Sequence, residues 1–132
     1  MNSHDKHKEL TEKIIEAFYA VYNELGYGFL DKVYQNSLFL ELRGMGLGVE
    51  AQKKTKVFYK GFEVGDYYPD LIVDGSAILE LKAAECIVDE FENQILNYLR
   101  ATDIEVGLLL NFGKKPEIRR KVFDNELKKK SM

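Results

Sequence analysis

Residues 69–82, Pro-Asp-Leu-Ile-Val-Asp-Gly-Ser-Ala-Ile-Leu-Glu-Leu-Lys, read as two strands joined by a turn. Apolar residues flank the turn, Asp74-Gly75-Ser76, and three charges interrupt them: Asp70, Glu80 and Lys82. Glu80 and Lys82 are two positions apart, so on a strand they point to the same face of the sheet. Charges on a core strand are costly unless they are paired or bind a metal. The stretch therefore predicts that these charged side chains bind another group.

The length of the turn decides which side chains face one another. A three-residue turn places Asp70 opposite Glu80, whereas a two-residue turn places Asp70 opposite Leu79. The three-residue register gathers the apolar side chains on one face, and a one-residue slip would exchange the faces, so we predict that register. Facing Cβ atoms are then roughly 5 Å apart. Two carboxylates that close repel each other unless a cation lies between them. One feature fits less well, since Gly75 would suit the third loop position better than the second.

Length and composition are those of a single globular domain. The chain has 132 residues, of which 45% are hydrophobic and 31% charged, and a domain of this size buries about two thirds of its unfolded surface. No apolar run approaches the roughly 20 residues of a membrane span, and the N-terminus lacks the apolar core of a signal peptide. The lone cysteine, Cys86, suits a reducing compartment, and we expect it to pack rather than react. We therefore expect one domain over residues 1–132, in the cytoplasm, without membrane contact.

Charge is distributed unevenly along the chain. The net charge is −3, but residues 113–132 alone carry eight Lys/Arg and three Asp/Glu, which leaves the remainder at −8. Four lysines between positions 53 and 60 form a second basic cluster. A local basic patch can bind phosphates even on an acidic chain. Solvated surface lysines with a polar tail would produce the same pattern.

Hydrophobic periodicity predicts two N-terminal helices, over residues 5–25 and 30–43, separated by Gly26-Tyr27-Gly28. Asp31 lies in the first turn of the second helix. An acid there is favoured by the helix dipole, and the pattern alone favours this structural role. The alternative is a third carboxylate aimed at the predicted pair.

The middle of the chain is predicted to alternate between strands and a helix. Residues 49–59 and 62–68 read as strands that continue into 69–82 as an antiparallel meander. A helix over 88–100 and a buried strand over 104–112 complete a βαβ unit, so strands 77–83 and 104–112 should be parallel. Gln94 on that helix is a surface amide by default. Residues 117–123 fit a short edge strand or a helix, and the tail over 125–132 should be frayed.

These motifs together resemble a known group of proteins. Pro69-Asp70, then Glu80-Leu81-Lys82 on the next strand, then Gln94 on the following helix, resembles the PD-(D/E)XK nuclease superfamily. Residues 28–34, Gly-Phe-Leu-Asp-Lys-Val-Tyr, are similar to the signature of the GxxExxY protein family within it. The similarity extends over about residues 10–123, and it also includes Tyr59-Lys60-Gly61, Tyr98-Leu99 and residues 107–112.

The resemblance implies a fold and a set of roles. The fold is an α/β restriction-endonuclease-like core, a mixed sheet of an antiparallel meander and a parallel crossover strand, flanked by helices. Asp70 and Glu80 would bind the metal with the backbone carbonyl of Leu81, and Lys82 would be the catalytic lysine. Two further side chains would assist: Gln94 lining the site, and Asp31 helping the metal. The family signature has Glu at the latter position, so the shorter Asp31 would reach the metal only through water.

Two carboxylates and a lysine suit metal-assisted phosphodiester hydrolysis, with Mg²⁺ as the expected ion and Mn²⁺ as a substitute. The leading hypothesis is a metal-dependent nuclease acting on nucleic acid, DNA rather than RNA. The alternative is a non-catalytic module that binds nucleic acid or protein and keeps the fold. The intact set of Asp70, Glu80 and Lys82 favours the enzyme. The acidic balance and small size favour the module, or a nuclease whose groove is completed by a homodimer or partner protein. A purely structural ion-pair ladder ranks third.

Overall fold

The computed structural model describes residues 7–128, in which a five-stranded mixed sheet has helices on both faces and a two-stranded hairpin lies beside it. None of the helices within residues 7–128 is long and apolar enough to cross a membrane. The elements in chain order are α1 (Lys8–Leu25), α2 (Asp31–Gly44), β1 (Val49–Ala51), β2 (Thr55–Tyr59), β3 (Phe62–Tyr67), β4 (Leu71–Val73), β5 (Ala77–Lys82), α3 (Asp89–Ala101), β6 (Val106–Phe112), β7 (Pro116–Val122) and α4 (Asn125–Lys128).

The main sheet has the strand order β1-β4-β5-β6-β7. β5 and β6 are parallel and are connected through α3, as the strand–helix–strand pattern predicts. β6 is buried along its whole length, which explains its unbroken apolar sequence. β7 pairs antiparallel with β6 at the sheet edge, so residues 117–122 of the predicted segment 117–123 belong to a strand rather than a helix. The α/β fold class predicted from the sequence is confirmed.

The predicted register of β4 and β5 is confirmed. Leu71 pairs with Leu79 and Val73 with Ala77, and this register places the preceding residue, Asp70, opposite Glu80. Asp74 and Gly75 both have positive φ, of 51° and 62°, and the amide of Ser76 donates to the carbonyl of Val73 at 2.9 Å. A turn with two consecutive left-handed residues favours Asp-Gly, so Gly75 fits the second position after all.

The predicted continuous strand over residues 49–59 is wrong. The chain breaks at Gln52, whose φ of 52° is left-handed and redirects the backbone. β1 pairs with β4 in the main sheet, whereas β2 pairs with β3 in the separate hairpin. The expected meander is therefore interrupted, because β2 and β3 lie outside the main sheet and the chain returns to it only after Pro69.

The two faces of the main sheet bury different neighbours. The first face packs against α1 and α2, and the second packs against α3 and the hairpin. Gly107 in β6 permits close approach of α3, because a Cβ there would lie 2.9 Å from Cδ1 of Ile95. Glu80 and Lys82 share the second face with the buried Ile78. The first face is built largely from Leu71, Val73, Ala77, Leu79, Leu81, Leu108, Leu110 and Phe112.

Two local expectations do not hold. Residues 125–128 form the short helix α4 rather than a frayed tail, because the buried Lys128 ammonium donates to the carbonyls of Thr102 and Ile104 at 2.8 and 2.7 Å. Burial lowers the pKa of Lys128. Cys86 is exposed rather than packed. The rest of the predicted tail, 129–132, and the predicted start of the first helix at residue 5 lie outside the described residues.

Candidate active site

The carboxylate pair lies where β4 begins and β5 nears its end. β4 pairs with β5 only from Leu71 onward, so the Asp70 side chain takes the place of a backbone acceptor: its Oδ2 accepts from the amide of Leu81 at 2.8 Å. Burial, and then the negative charge of Asp70, raise the pKa of Glu80 to about 8. Both influences favour the protonated form of Glu80 over the carboxylate.

Tyr67, at the end of β3, supports Glu80 from the hairpin. Its hydroxyl donates to Oε1 of Glu80 at 2.8 Å, and its ring stacks on Tyr98 of α3 with centroids 3.4 Å apart. Burial and the neighbouring Glu80 raise the pKa of Tyr67 far above its ordinary value, so the hydroxyl remains a donor. Sequence analysis missed this residue because the contact depends on how the hairpin folds over the sheet. The available signal was weak: a tyrosine ending a strand three residues before Asp70.

Asp70 is supported by two glutamines that sequence analysis also missed. Nε2 of Gln52 lies 3.4 Å from Oδ1 of Asp70 and 3.2 Å from Oε1 of the buried Gln35 in α2. The backbone amide of Gln52 also donates to the carbonyl of Asp70 at 3.2 Å. The left-handed backbone of Gln52 thus lets one residue hold both ends of Asp70. A signal for Gln35 existed, since helical spacing places this polar residue on the same face as the apolar Leu38 and Leu42.

Asp31 is exposed in the first turn of α2. Within residues 7–128, no three His, Cys, Asp or Glu side chains lie close enough together to hold one metal ion. The structure therefore does not bring Asp31 together with Asp70 and Glu80 as a third direct ligand. Asp31 precedes Gln35 by four residues and so shares a helix face with it.

Lys82 and Gln94 lie on the α3 side of the pair. The Lys82 ammonium is 4.7 Å from the ring centroid of Phe91, and its charge acts to lower the pKa of Glu80. Gln94 is exposed and donates through Nε2 to the Tyr98 hydroxyl at 2.9 Å. Its connection to the carboxylates therefore runs through the two stacked tyrosines rather than by direct contact.

The chain that follows Lys82 is fixed by the end of β6. Asn111 is fully buried; its Oδ1 accepts from the Ala84 amide at 2.9 Å, and its Nδ2 donates to the Ala84 carbonyl at 3.0 Å. Nδ2 also donates to Oε1 of Glu117 at 3.0 Å. A Cβ at Gly113 would collide with the Ala84 carbonyl oxygen, so the two segments pass in direct backbone contact. This arrangement holds the end of β5 in place.

Tyr34, the last residue of the 28–34 motif, has a structural role. Its buried hydroxyl donates to the carbonyl of Gly26 at 2.7 Å and accepts from the amide of Phe29 at 3.2 Å. Its ring stacks on Phe112 with centroids 4.2 Å apart. Tyr34 therefore fastens the α1–α2 turn to the sheet, which sets the start of α2 and hence the position of Asp31.

The oxygen atoms available at the Asp70–Glu80 pair are suitable ligands for a divalent cation. Asp70 and Glu80 offer carboxylate oxygens, which hard ions such as Mg²⁺ and Mn²⁺ prefer. The amide and carbonyl of one strand residue point to the same side, so the Leu81 carbonyl joins its amide on the side facing Asp70. Burial and the charge of Asp70 raise the pKa of Glu80, and a cation between the two carboxylates would favour the ionised form of Glu80.

Comparison with known proteins shows the superfamily to which the chain belongs. A profile of the PD-(D/E)XK nuclease superfamily matches residues 8–121, and the chain belongs to that superfamily. Its members are nuclease-like proteins that usually use divalent metal ions.

Among solved structures, the fold is similar to one titled "Crystal structure of SSO0001", with a TM-score of 0.55 and 16% sequence identity. The similarity covers 92% of this chain and 62% of that one, so this chain spans less than two thirds of that protein. At this identity the likeness concerns the fold. Comparison with curated proteins finds no match.

Proposed function

We propose that this protein is a metal-dependent nuclease that hydrolyses phosphodiester bonds in nucleic acid. Asp70, Glu80 and the carbonyl of Leu81 would hold Mg²⁺, with Mn²⁺ as a substitute. The observation that carries this proposal is the facing pair of carboxylates at the β4–β5 edge, with Lys82 on the same strand face, in a nuclease-superfamily chain.

The chain's own residues prepare the site for this chemistry. The Leu81 amide and Gln52 hold Asp70, while Tyr67 holds one oxygen of Glu80. When bound, the cation would polarise the phosphate and lower the pKa of water. Lys82 supplies a positive charge that offsets negative charge developing on the phosphate or orients the attacking water.

Two more residues complete the proposal. Asp31 would act on the cation through water, since it is not grouped with the carboxylate pair. Gln94 would line the α3 side beside Tyr98. We also infer membership of the GxxExxY family, supported by the 28–34 motif and the anchoring role of Tyr34. DNA is the expected substrate, as the resemblance to restriction endonucleases implies.

A cleavage assay tests the proposal. Labelled single-stranded, duplex and branched DNA, and RNA, are incubated with the full chain in Mg²⁺, Mn²⁺ or EDTA. We expect cleavage of at least one substrate with Mg²⁺ and none with EDTA. Asp70→Asn, Glu80→Gln and Lys82→Ala should each lower the rate by about 100-fold or more, because each removes a charge acting on the transition state. Glu24→Gln, at an exposed position on α1, is the matched control.

Circular dichroism of each variant establishes that it is folded. Cleavage that survives Glu80→Gln would contradict the proposed mechanism. If nothing is cleaved while nucleic acid binds equally well in EDTA, the non-catalytic binding module becomes the better description.

A further inference from the structure

The β2–β3 hairpin carries an aromatic tip that the proposed chemistry does not use. Tyr59 and Phe62 pair across the turn and are 60% and 74% exposed. The register of the hairpin shifts between Val57 and Phe58, but the extra residue lies in β3. Alternation along β2 therefore still puts Tyr59 on the same face as Val57, which packs with Tyr67 in the cluster beneath α3. The tip therefore continues, beyond the body of the protein, the hairpin face that contacts Glu80 through Tyr67.

The tip also carries a positive charge. Lys60 lies in the turn with φ of 50°, and its ammonium is 5.3 Å from the ring centroid of Tyr59. The other lysines of the predicted basic cluster are engaged elsewhere. Lys54 and Lys56 each lie 3.5 Å from an acid of β3, and Lys53 lies 3.3 Å from Glu50. Of these four lysines, all within the described residues 7–128, Lys60 is thus the one whose ammonium lies against a ring of the aromatic tip.

We propose that Tyr59, Phe62 and Lys60 bind the single strand of nucleic acid that leads into the carboxylate site. Bases would stack on the two rings, and the Lys60 ammonium would contact a phosphate. Aromatic side chains beside a cation are how many proteins hold single strands without sequence preference. This inference rests on the proposed function and adds a substrate-binding surface to it. A second copy of the chain is the less favoured occupant, because a symmetric contact would bring two Lys60 ammonium groups together.

Binding without cleavage tests this surface. The full chain is titrated against a fluorescent single-stranded DNA 20-mer in EDTA, and the anisotropy gives Kd. The double variant Tyr59→Ala, Phe62→Ala should raise Kd by about 10-fold or more, since each lost stack weakens binding. Phe58→Ala is the matched control, because Phe58 is 45% exposed and, as the neighbour of Tyr59 on β2, points to the opposite hairpin face. The Kd of the Phe58→Ala variant should change less than twofold. Phe62→Trp, which keeps a stacking surface, should bind like the unmodified chain.

The outcomes separate this inference from the nuclease proposal. If binding depends on the tip but no substrate is cleaved in Mg²⁺, the single-strand binding surface is supported and the nuclease proposal is rejected. If substrate is cleaved but the double variant and Phe58→Ala have equal Kd, the nuclease proposal is supported and the binding surface is rejected. Absence of single-strand binding by the unmodified chain would overturn the inference. So would sedimentation showing that the double variant only converts a dimer into a monomer, because the tip would then be a self-association surface.

Discussion

At the scale of single residues, neighbouring groups shift the pKa of Glu80 in opposite directions. Burial and the charge of Asp70 raise its pKa to about 8, whereas the hydrogen bond from Tyr67 and the charge of Lys82 lower it. A carboxylate must be ionised to bind a cation, so the influences that lower this pKa favour the form of Glu80 that the proposed metal site needs. Tyr67 supplies one of them with a single hydroxyl.

Replacing Tyr67 by phenylalanine should weaken Mg²⁺ binding. The change removes the donor to Glu80 but keeps the ring stacked on Tyr98. Hydrogen bonds to charged groups contribute about 1.5–3 kcal/mol, so we expect Mg²⁺ affinity at pH 7 to fall by about 10-fold or more. Calorimetric titration of Mg²⁺ into the full chain measures this affinity. Tyr68→Phe, at the exposed neighbouring position, is the control. Equal Mg²⁺ affinities for the two variants would show that the Tyr67 hydroxyl does not position Glu80.

The elements differ in how far their sequences determine them. The β4–β5 register was predictable because its apolar alternation has a period of two and its ends lie within 14 residues. The parallel β5–β6 pair followed from the strand–helix–strand order. The break between β1 and β2 was not predictable, because Gln52 adopts left-handed φ in a context set by Asp70 and Gln35, distant in sequence.

The contact between the ends of β5 and β6 yields a prediction at this scale. Gly113→Ala should lower the free energy of unfolding by about 2 kcal/mol, because the new Cβ would collide with the Ala84 carbonyl and disturb the hydrogen bond that this carbonyl accepts from Asn111. Urea denaturation measures the change. Gly65→Ala is the control, since a Cβ there meets no atom within 4 Å. A Gly113→Ala chain as stable as the Gly65→Ala chain would mean that the backbone approach is not restrictive.

Across the whole molecule, the site gathers residues that are far apart in sequence. Asp70, Glu80 and Lys82 were predicted because they lie within one local motif. Gln35, Gln52 and Tyr67 were not predicted, because α2, the β1–β2 break and the hairpin meet only in the folded chain. The fold also forms ion pairs between charges that are far apart in sequence, which the charge pattern alone does not predict. Part of the basic C-terminal segment is paired, with the Lys121 ammonium 2.8 Å from Glu92 of α3.

The proposed ligands lie at neighbouring strands of the main sheet, and small domains usually unfold cooperatively, so Mg²⁺ should stabilise the entire domain. A ligand at 100 times its Kd that binds only the folded state adds about 2.7 kcal/mol. For a chain of 132 residues this should raise Tm by roughly 10 °C. Thermal unfolding in Mg²⁺ and in EDTA, at matched ionic strength, measures the shift.

Glu80→Gln should abolish most of this shift, because the neutral amide removes the ligand charge and the repulsion that a cation relieves. Glu24→Gln removes one exposed carboxylate on α1, distant in sequence from Asp70 and Glu80, and this variant should keep the full shift in Tm. A rise in Tm that is the same in both variants would show that Mg²⁺ acts on the surface charge of the acidic chain rather than at the Asp70–Glu80 pair.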